Sequence, residues 1–587
     1  MRGKTSKKIT LASALVVTAS LALAGCGTTT TTPQAHSTSL KPQSGGTVVF
    51  ALPADSNVNW YFPLMNGLND SVYNAWVQNL MYKSLITLHS TGSINYQRSL
   101  ASSIKPNAAG TKYVVTLHPN YKWSNGHSVT AKDVVFTWNL IKAASASNAP
   151  SPWPYVGAGT GDIPTGVKSV VANSTYQFTV TLNKPANQQW FIYNGLNQLT
   201  PLPQSVFDRY PTNMTQELTW LGKVATDPTS SVYHVVDGPF KLTQAVSSQK
   251  WTFVPNPTYG GHKAYVSKLI FQYETSGNAE FAALKTGSIQ VGYLPNSLWG
   301  SRAALNANYN LSVENNLAYG DVLVNMNHGN SNASLNAPNG VGNIFKNLYV
   351  RQAMQMGINQ NAINAASFHG NAVTEVGILP PKPKSIFFDP NLKTIYPYDP
   401  AKGVKLLKAH GWHEVNGVMT KGGQQLKFQL VYSSGSQSFV EEATLLQQGW
   451  AKEGIQVSLK AEPFSTIVGL TNNHWQMEDY GGISWGGTYP TGGGLFGKPG
   501  VGLDSQGYYN PTMAHLISLT HQPYATEKQS LQALYNFQAF VAHDLPVLWV
   551  PWPPAYNEVA KTVHIGSKYV SNPFTGGISP NYWWVSK

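Results

Sequence analysis

The chain has 587 residues, 11% of them charged, with 39 Lys and Arg against 26 Asp and Glu and a formal charge of +13 at pH 7. That length exceeds one small core and predicts two or three lobes, while a single cysteine, Cys26, excludes a disulfide framework. The basic residues form no dense block, which excludes a nucleic-acid-binding patch and predicts no nucleic-acid partner. Carboxylates are scarce in a chain crowded with Asn, Gln, Ser, Thr and Gly. Acid unfolding is largely the protonation of carboxylates that had favourable native partners. So few of them fits either an acidic external habitat or a compositional bias of the genome.

In chain order, Met1–Lys8 carries Arg2, Lys4, Lys7 and Lys8, and an apolar run from Ile9 to Ala24 follows. A basic start, a short apolar core and small residues at its end predict a secretory signal over residues 1–25. The run is too short for a comfortable membrane span. Its removal would take away four positive charges and no acid, leaving 13 − 4 = +9. The closing Leu23-Ala24-Gly25-Cys26 resembles the lipobox of bacterial lipoproteins. The resemblance implies acylation of the Cys26 thiol and anchoring of the new N-terminus to the membrane. Residues 26–44, with Thr28–Thr32 unbroken, cannot bury a core and read as a flexible tether. No later apolar stretch is long enough to cross a bilayer, which predicts a soluble body held by its lipid.

Thr47–Leu52 is a β-rich apolar run ended by Pro53, the predicted first strand. Asp70–Leu88 carries Val72, Trp76 and Leu80 at helical spacing and predicts a helix. Over Tyr121–Leu140, Ser124-Asn125-Gly126 is a turn and Thr130-Ala131-Lys132-Asp133 a capping pattern. Val134, Val135, Trp138 and Ile141 then share one helical face. Further on, Asp399 and Pro400 suit an N-cap and first helical residue, and Gly411 a helix stop. Glu441–Lys452 predicts another helix, and Ile455–Leu459 an alternating strand.

The stretch YKWSNGHSVTAKDVVFTWNL closely resembles the signature of the family 5 extracellular solute-binding proteins, the peptide, nickel and oligosaccharide receptors of bacterial ABC importers. Further segments match in order: Asp237–Leu242, Asn256–Tyr259, Ala282–Val291, Val350–Ala353 and Tyr398–Lys402. Two positions depart from the pattern, Gln290 and Asn359, where the family commonly carries an acid. These segments are mostly structural, so Trp123 and Trp138 are read as core residues and the signature does not name the ligand.

The resemblance implies an α/β, periplasmic-binding-protein-like fold (type II, cluster C), with two main lobes, a hinge and an extra inserted subdomain. Lobe I would hold 45–90, 200–310 and 546–587, the insertion 91–199, and lobe III 311–545. It implies a monomer that closes over a small-molecule or peptide ligand and docks on permease subunits, outside the cell membrane. No catalytic motif is visible, and after Gly492–Lys498 Pro499 stands where a phosphate loop requires Ser or Thr, so the stretch reads as a flexible Gly-rich loop. His474, Met477 and Glu478 form only a chance-level metal pattern. The expectation is therefore no enzyme, no metal and no cofactor, with an exported hydrolase as the alternative of another class.

Aromatic residues suit recognition, because flat side chains bury much area at low entropic cost. Trp60, Tyr61, Trp475, Tyr480, Trp485, Tyr489, Trp549 and Trp552 are spread over the segments that flank the cleft in this family, and core packing is the competing reading for each. The expected ligand segment is Trp485-Gly486-Gly487-Thr488-Tyr489, with Trp60 and Tyr61 opposite. Peptide-binding members carry an aspartate where Thr488 stands, and that aspartate pairs with the peptide ammonium. Thr488 cannot neutralise an ammonium. Either the ligand lacks a free ammonium, or another acid such as Glu478 or Asp479 replaces the aspartate. Peptide is kept first, ahead of an oligosaccharide or another non-peptide solute.

Overall fold

The computed structural model describes residues 41–53, 56–326, 340–469, 475–497 and 506–586. Cys26, the tether to Leu40, and His474 lie outside the described residues. Among the described residues no helix is long and apolar enough to cross a membrane.

The first strand forms over Thr47–Leu52 and pairs in parallel with Lys268–Tyr273, Thr47 opposite Lys268. Lys250–Pro255 and Phe240–Val246 continue the sheet as antiparallel neighbours. Val291 bridges Phe50 on one side and Val559 on the other, which brings the antiparallel pair Tyr309–Glu314 and Ala555–Ala560 alongside. Gln290 has a structural task at this junction. Its Oε1 accepts the Val49 N–H at 2.9 Å while its Nε2 donates to the Gly287 carbonyl at 2.7 Å, and an ionised acid could only accept.

The helix expected over Asp70–Leu88 is shorter, running from Val72 to Met81. Ser71 caps it by accepting the Tyr73 N–H, and Trp76, Val77, Leu80 and Met81 bury its inner face. Tyr82 is already extended, and the next N–H, of Lys83, goes to Asp237 Oδ1 at 2.9 Å. A distant acceptor outcompetes another helical turn, and periodicity alone could not foresee it.

A second sheet is fully antiparallel, in the order Ala101–Pro106, Lys112–Leu117, Gln177–Leu182, Val167–Ser174. The helix Ala131–Ala144 packs beside it, opened by Thr130, whose N–H and hydroxyl both reach the Asp133 carboxylate. Val134, Trp138 and Ile141 are buried, as is Trp123 in the preceding turn.

The third sheet has five strands in the order Gln456–Glu462, Lys427–Ser433, Met477–Ser484, Ala318–Val324, Leu548–Val550. Lys427–Ser433 is parallel to both neighbours and the remaining pairs are antiparallel. Every residue of Ala318–Val324 is buried, as an apolar strand at the centre of a covered sheet should be. Helices Leu348–Gly357, Pro400–Ala409, Gln437–Ala451 and Glu527–Asp544 cover this part. Gln437–Ala451 starts a turn before the expected Glu441, and Asp399 caps Pro400–Ala409 by accepting the Lys402 N–H. Asn359, the other departure from the family pattern, caps Gln360–Phe368 through the Ala362 N–H, a task the amide performs as well as an acid. The glycine-rich stretch read as a flexible loop instead holds the short helix Gly493–Phe496, because Leu495 and Phe496 are buried.

Candidate functional site

The turn after the strand Met477–Ser484 is built by Gly486 and Gly487, at φ +54° and +84° in succession. Two left-handed residues in a row need glycine. Thr488 closes the turn, its N–H and its hydroxyl both donating to the Trp485 carbonyl, at 3.0 and 2.6 Å. Trp485 is held by its backbone N–H on the Leu317 carbonyl and by its indole N–H on the Ile378 carbonyl, both at 3.0 Å. Tyr489 is buried, its hydroxyl 3.0 Å from Ser530 Oγ. Its backbone is clamped by Asn194: the Tyr489 N–H donates to Oδ1 at 2.7 Å, and Nδ2 donates to the Tyr489 carbonyl at 3.2 Å.

Gly486 and Gly487 form part of the wall of a cavity of about 480 Å³. The rest of the wall comes from Pro63, Leu64, Asn79, Lys83, Ser84 and Ile86 to Leu88, and from Arg98, Tyr121, Tyr155 and Tyr259, with Asn572, Thr575, Gly577 to Ser579, Asn581 and Tyr582 from the C-terminal segment. A second cavity of about 540 Å³ adjoins it and shares Leu88, Arg98, His262 and Tyr582. We take the first as the solute site because it alone reaches the Gly486-Gly487 turn.

The seven ligand-segment residues are thus divided. Gly486 and Gly487 reach the cavity, while Trp485, Thr488 and Tyr489 shape the turn behind it. Trp60 and Tyr61 sit one step behind Pro63 and Leu64, at 1% and 2% exposure. The Trp60 indole N–H donates to the Leu64 carbonyl at 2.9 Å, and the Tyr61 hydroxyl accepts from the Trp251 indole at 2.7 Å. Burial pushes the Tyr61 hydroxyl up to about 12. Core packing is what these contacts support for that pair. Glu478 and Asp479 are buried in the third sheet and line neither cavity, and Trp475 and Trp549 are buried as well. Among the described residues no group of His, Cys, Asp and Glu could hold a metal ion.

The charged groups of the site carried no sequence motif. Lys83 is 9% exposed, and its ammonium donates to Thr87 Oγ1 at 2.6 Å. Burial lowers its pKa to about 8, the nearby Asp237 raising it and Arg98 lowering it further. Asp237, buried beneath, is itself pushed up to about 8, burial outweighing the Lys83 N–H it accepts. Each partner favours the charged form of the other, and burial opposes both. The Arg98 guanidinium lies 4.1 Å above the centre of the Tyr582 ring. Two lone cations among 39 Lys and Arg cannot be singled out from spacing, because Lys83 and Arg98 meet only through the fold.

An α/β body with a partly open, polar cavity lined from distant chain segments has the architecture of a solute receptor. Residues 95–497 match the family model of bacterial extracellular solute-binding proteins, family 5 (middle), and the chain belongs to that family. It is similar to the oligopeptide-binding protein AppA of Bacillus subtilis, 24% identical over 583 residues and 98% of each chain. The fold matches the structure of Bacillus subtilis AppA in complex with a nonapeptide, with a TM-score of 0.68, 21% identity, and coverage of 93% of this chain and 100% of that one. It also matches the ABC transporter substrate-binding protein CtaP of Listeria monocytogenes, with a TM-score of 0.71, 19% identity, and coverage of 93% and 100%.

Proposed function

We propose that the chain is the substrate-binding lipoprotein of an ABC importer, which captures a solute, foremost an oligopeptide, between two lobes and delivers it to permease subunits. The observation that carries this reading is the cavity of about 480 Å³ whose lining draws on residues between 63 and 98 and between 239 and 262 together with Gly486-Gly487. The likeness to AppA and to CtaP supports the peptide and the transporter. Lobe I takes 45–90, 200–310 and the tail from 546, the insertion 91–199, and lobe III 311–545. The hinge lies where the chain leaves one sheet for another, between Glu314 and Ala318 and between Val550 and Ala555. Anchoring is through acylated Cys26, which places the body on the outer face of the cell membrane. A non-peptide ligand such as an oligosaccharide is the second reading, favoured by the neutral turn at Thr488.

Binding that favours a closed state shifts the population toward it. Calorimetry with an oligopeptide mixture, followed by small-angle scattering at saturation, tests this. A smaller radius of gyration with ligand, and peptides recovered chemically unchanged, is the expected result. Saturable binding with an unchanged radius removes hinge closure, and cleavage of the peptides removes the receptor reading.

A further inference from the structure

Resting on that reading, we propose that the cavity recognises its solute through a carboxylate held by Lys83 and Arg98, and requires no free ammonium. Lys83 and Arg98 are joined through one residue. Thr87 Oγ1 accepts from the Lys83 ammonium at 2.6 Å and donates to the Arg98 carbonyl at 3.1 Å. The ammonium has three N–H donors and this hydrogen bond uses one. The Arg98 guanidinium stacks on Tyr582 and, among the described residues, donates no hydrogen bond to the protein, so the edges of its fork are open.

Among the described residues the ion pairs are Arg302–Glu558 and Lys460–Glu462, and neither cavity cation belongs to one. No Asp or Glu lines this cavity or the one adjoining it, which adds Lys568 and His89 to the shared Arg98 and His262. Asp237 meets Lys83 from beneath, at the backbone N–H, and is fully buried. The other titratable side chains on the first cavity wall are Tyr121, Tyr155, Tyr259 and Tyr582.

A concave wall with charge of one sign focuses its field on the solute. Among the groups that line the wall an ammonium would meet only like charge, and Asp237 beneath the wall is already engaged by Lys83. Thr488, behind the Gly486-Gly487 turn, is uncharged and its hydroxyl is committed to the Trp485 carbonyl. A carboxylate meets two cations with unused donors, one of them a fork of matching geometry.

The carboxylate can come from a peptide C-terminus or from a non-peptide polycarboxylate. Calorimetry on the full chain in detergent, at pH 6 and low salt, separates these with trialanine, N-acetyl-trialanine, trialanine amide and citrate. The proposal expects acetylation to change the dissociation constant less than about threefold and amidation to weaken binding about tenfold or more. Arg98→Gln should weaken the free acids by a similar factor and leave the amide unmoved, and Arg98→Lys should restore part of the loss. Tighter binding of citrate than of trialanine assigns the polycarboxylate source, and the reverse assigns the peptide. An amide that binds as tightly as the acid, or acetylation that abolishes binding, overturns the carboxylate reading and leaves the receptor standing. Binding of none of the four probes overturns both. The ligand-side changes act on unaltered protein, so the result does not depend on any variant folding.

Discussion

Cys26 is the residue on which the proposed membrane anchoring rests, and the expectation comes from the sequence alone. A thiol that follows Leu23-Ala24-Gly25 and a basic-apolar leader is placed for processing, whatever the body does. Cys26→Ser should leave the protein unprocessed or release it from the membrane fraction, measured by detergent partition and immunoblotting. A wild-type protein found wholly in the medium with its leader intact would remove the anchor. The residues of the cavity were legible to different degrees. Gly486 and Gly487 were readable because their turn matches a family segment, whereas Lys83, Arg98 and Tyr582 come from stretches without a motif.

Among the elements, the short helix Gln188–Asn194 sets the position of the cavity turn. Asn187 caps it through the Gln189 and Trp190 N–H groups, and its Nδ2 reaches across to the Thr520 carbonyl at 2.8 Å and to Ser530 Oγ at 2.7 Å. Trp190 stacks on His521 with ring centres 4.3 Å apart. Asn194, at the other end, holds both the N–H and the carbonyl of Tyr489. This helix therefore grips the segment that follows the Gly486-Gly487 turn. Asn194→Ala strands two buried backbone groups, which costs about 1–3 kcal/mol. Solute affinity should fall about tenfold, and amide exchange over 485–489 should quicken. Unchanged affinity and exchange would show that the clamp does not position the turn. None of this was visible beforehand, since the stretch around Asn187 and Asn194 carries no motif and their partners lie far along the chain.

For the molecule as a whole, the scarce carboxylates turn out to be mostly inside it. More than half of the 26 Asp and Glu side chains are buried, yet among the described residues Glu558 is the only buried one in an ion pair. Glu375 and Glu453 have no hydrogen-bond partner on either oxygen. Burial pushes Asp237, Glu280, Asp321 and Glu478 up to about 8, Asp479 to about 7 and Glu453 to about 9, against ordinary values of 3.8 to 4.5. Between those ordinary values and about 7–9 the folded state binds more protons than the unfolded one, so stability falls as pH rises. His521 pulls the other way at the acid end, because burial lowers its pKa to about 4 and between there and its ordinary 6.5 the unfolded state binds the extra proton, so stability rises with pH. Lys83, lowered to about 8 from 10.5, acts in the same direction only above pH 8. The apparent melting temperature should therefore peak at mildly acidic pH, higher at pH 5 than at pH 8 by about 5 °C or more. Calorimetric scans across pH 3–9 check this, and a maximum at pH 8 or above would remove it. An acidic habitat, one of two readings of the composition, gains a physical basis, because neutral buried acids need no counter-ion.

The sequence by itself determined the family and the local elements whose signals are short-range: the strand Thr47–Leu52, the box at Thr130–Asp133, the stop at Gly411. These depend on neighbours within a few residues, where propensity and capping act. Tertiary structure alone decided where the helix after Ser71 ends and why Gln290 replaces an acid. It also decided which acids are buried and which cations line the cavity. Each of these depends on a partner far along the chain, Asp237 for Lys83, Val49 for Gln290, Tyr582 for Arg98, and on burial, which one-dimensional periodicity does not encode.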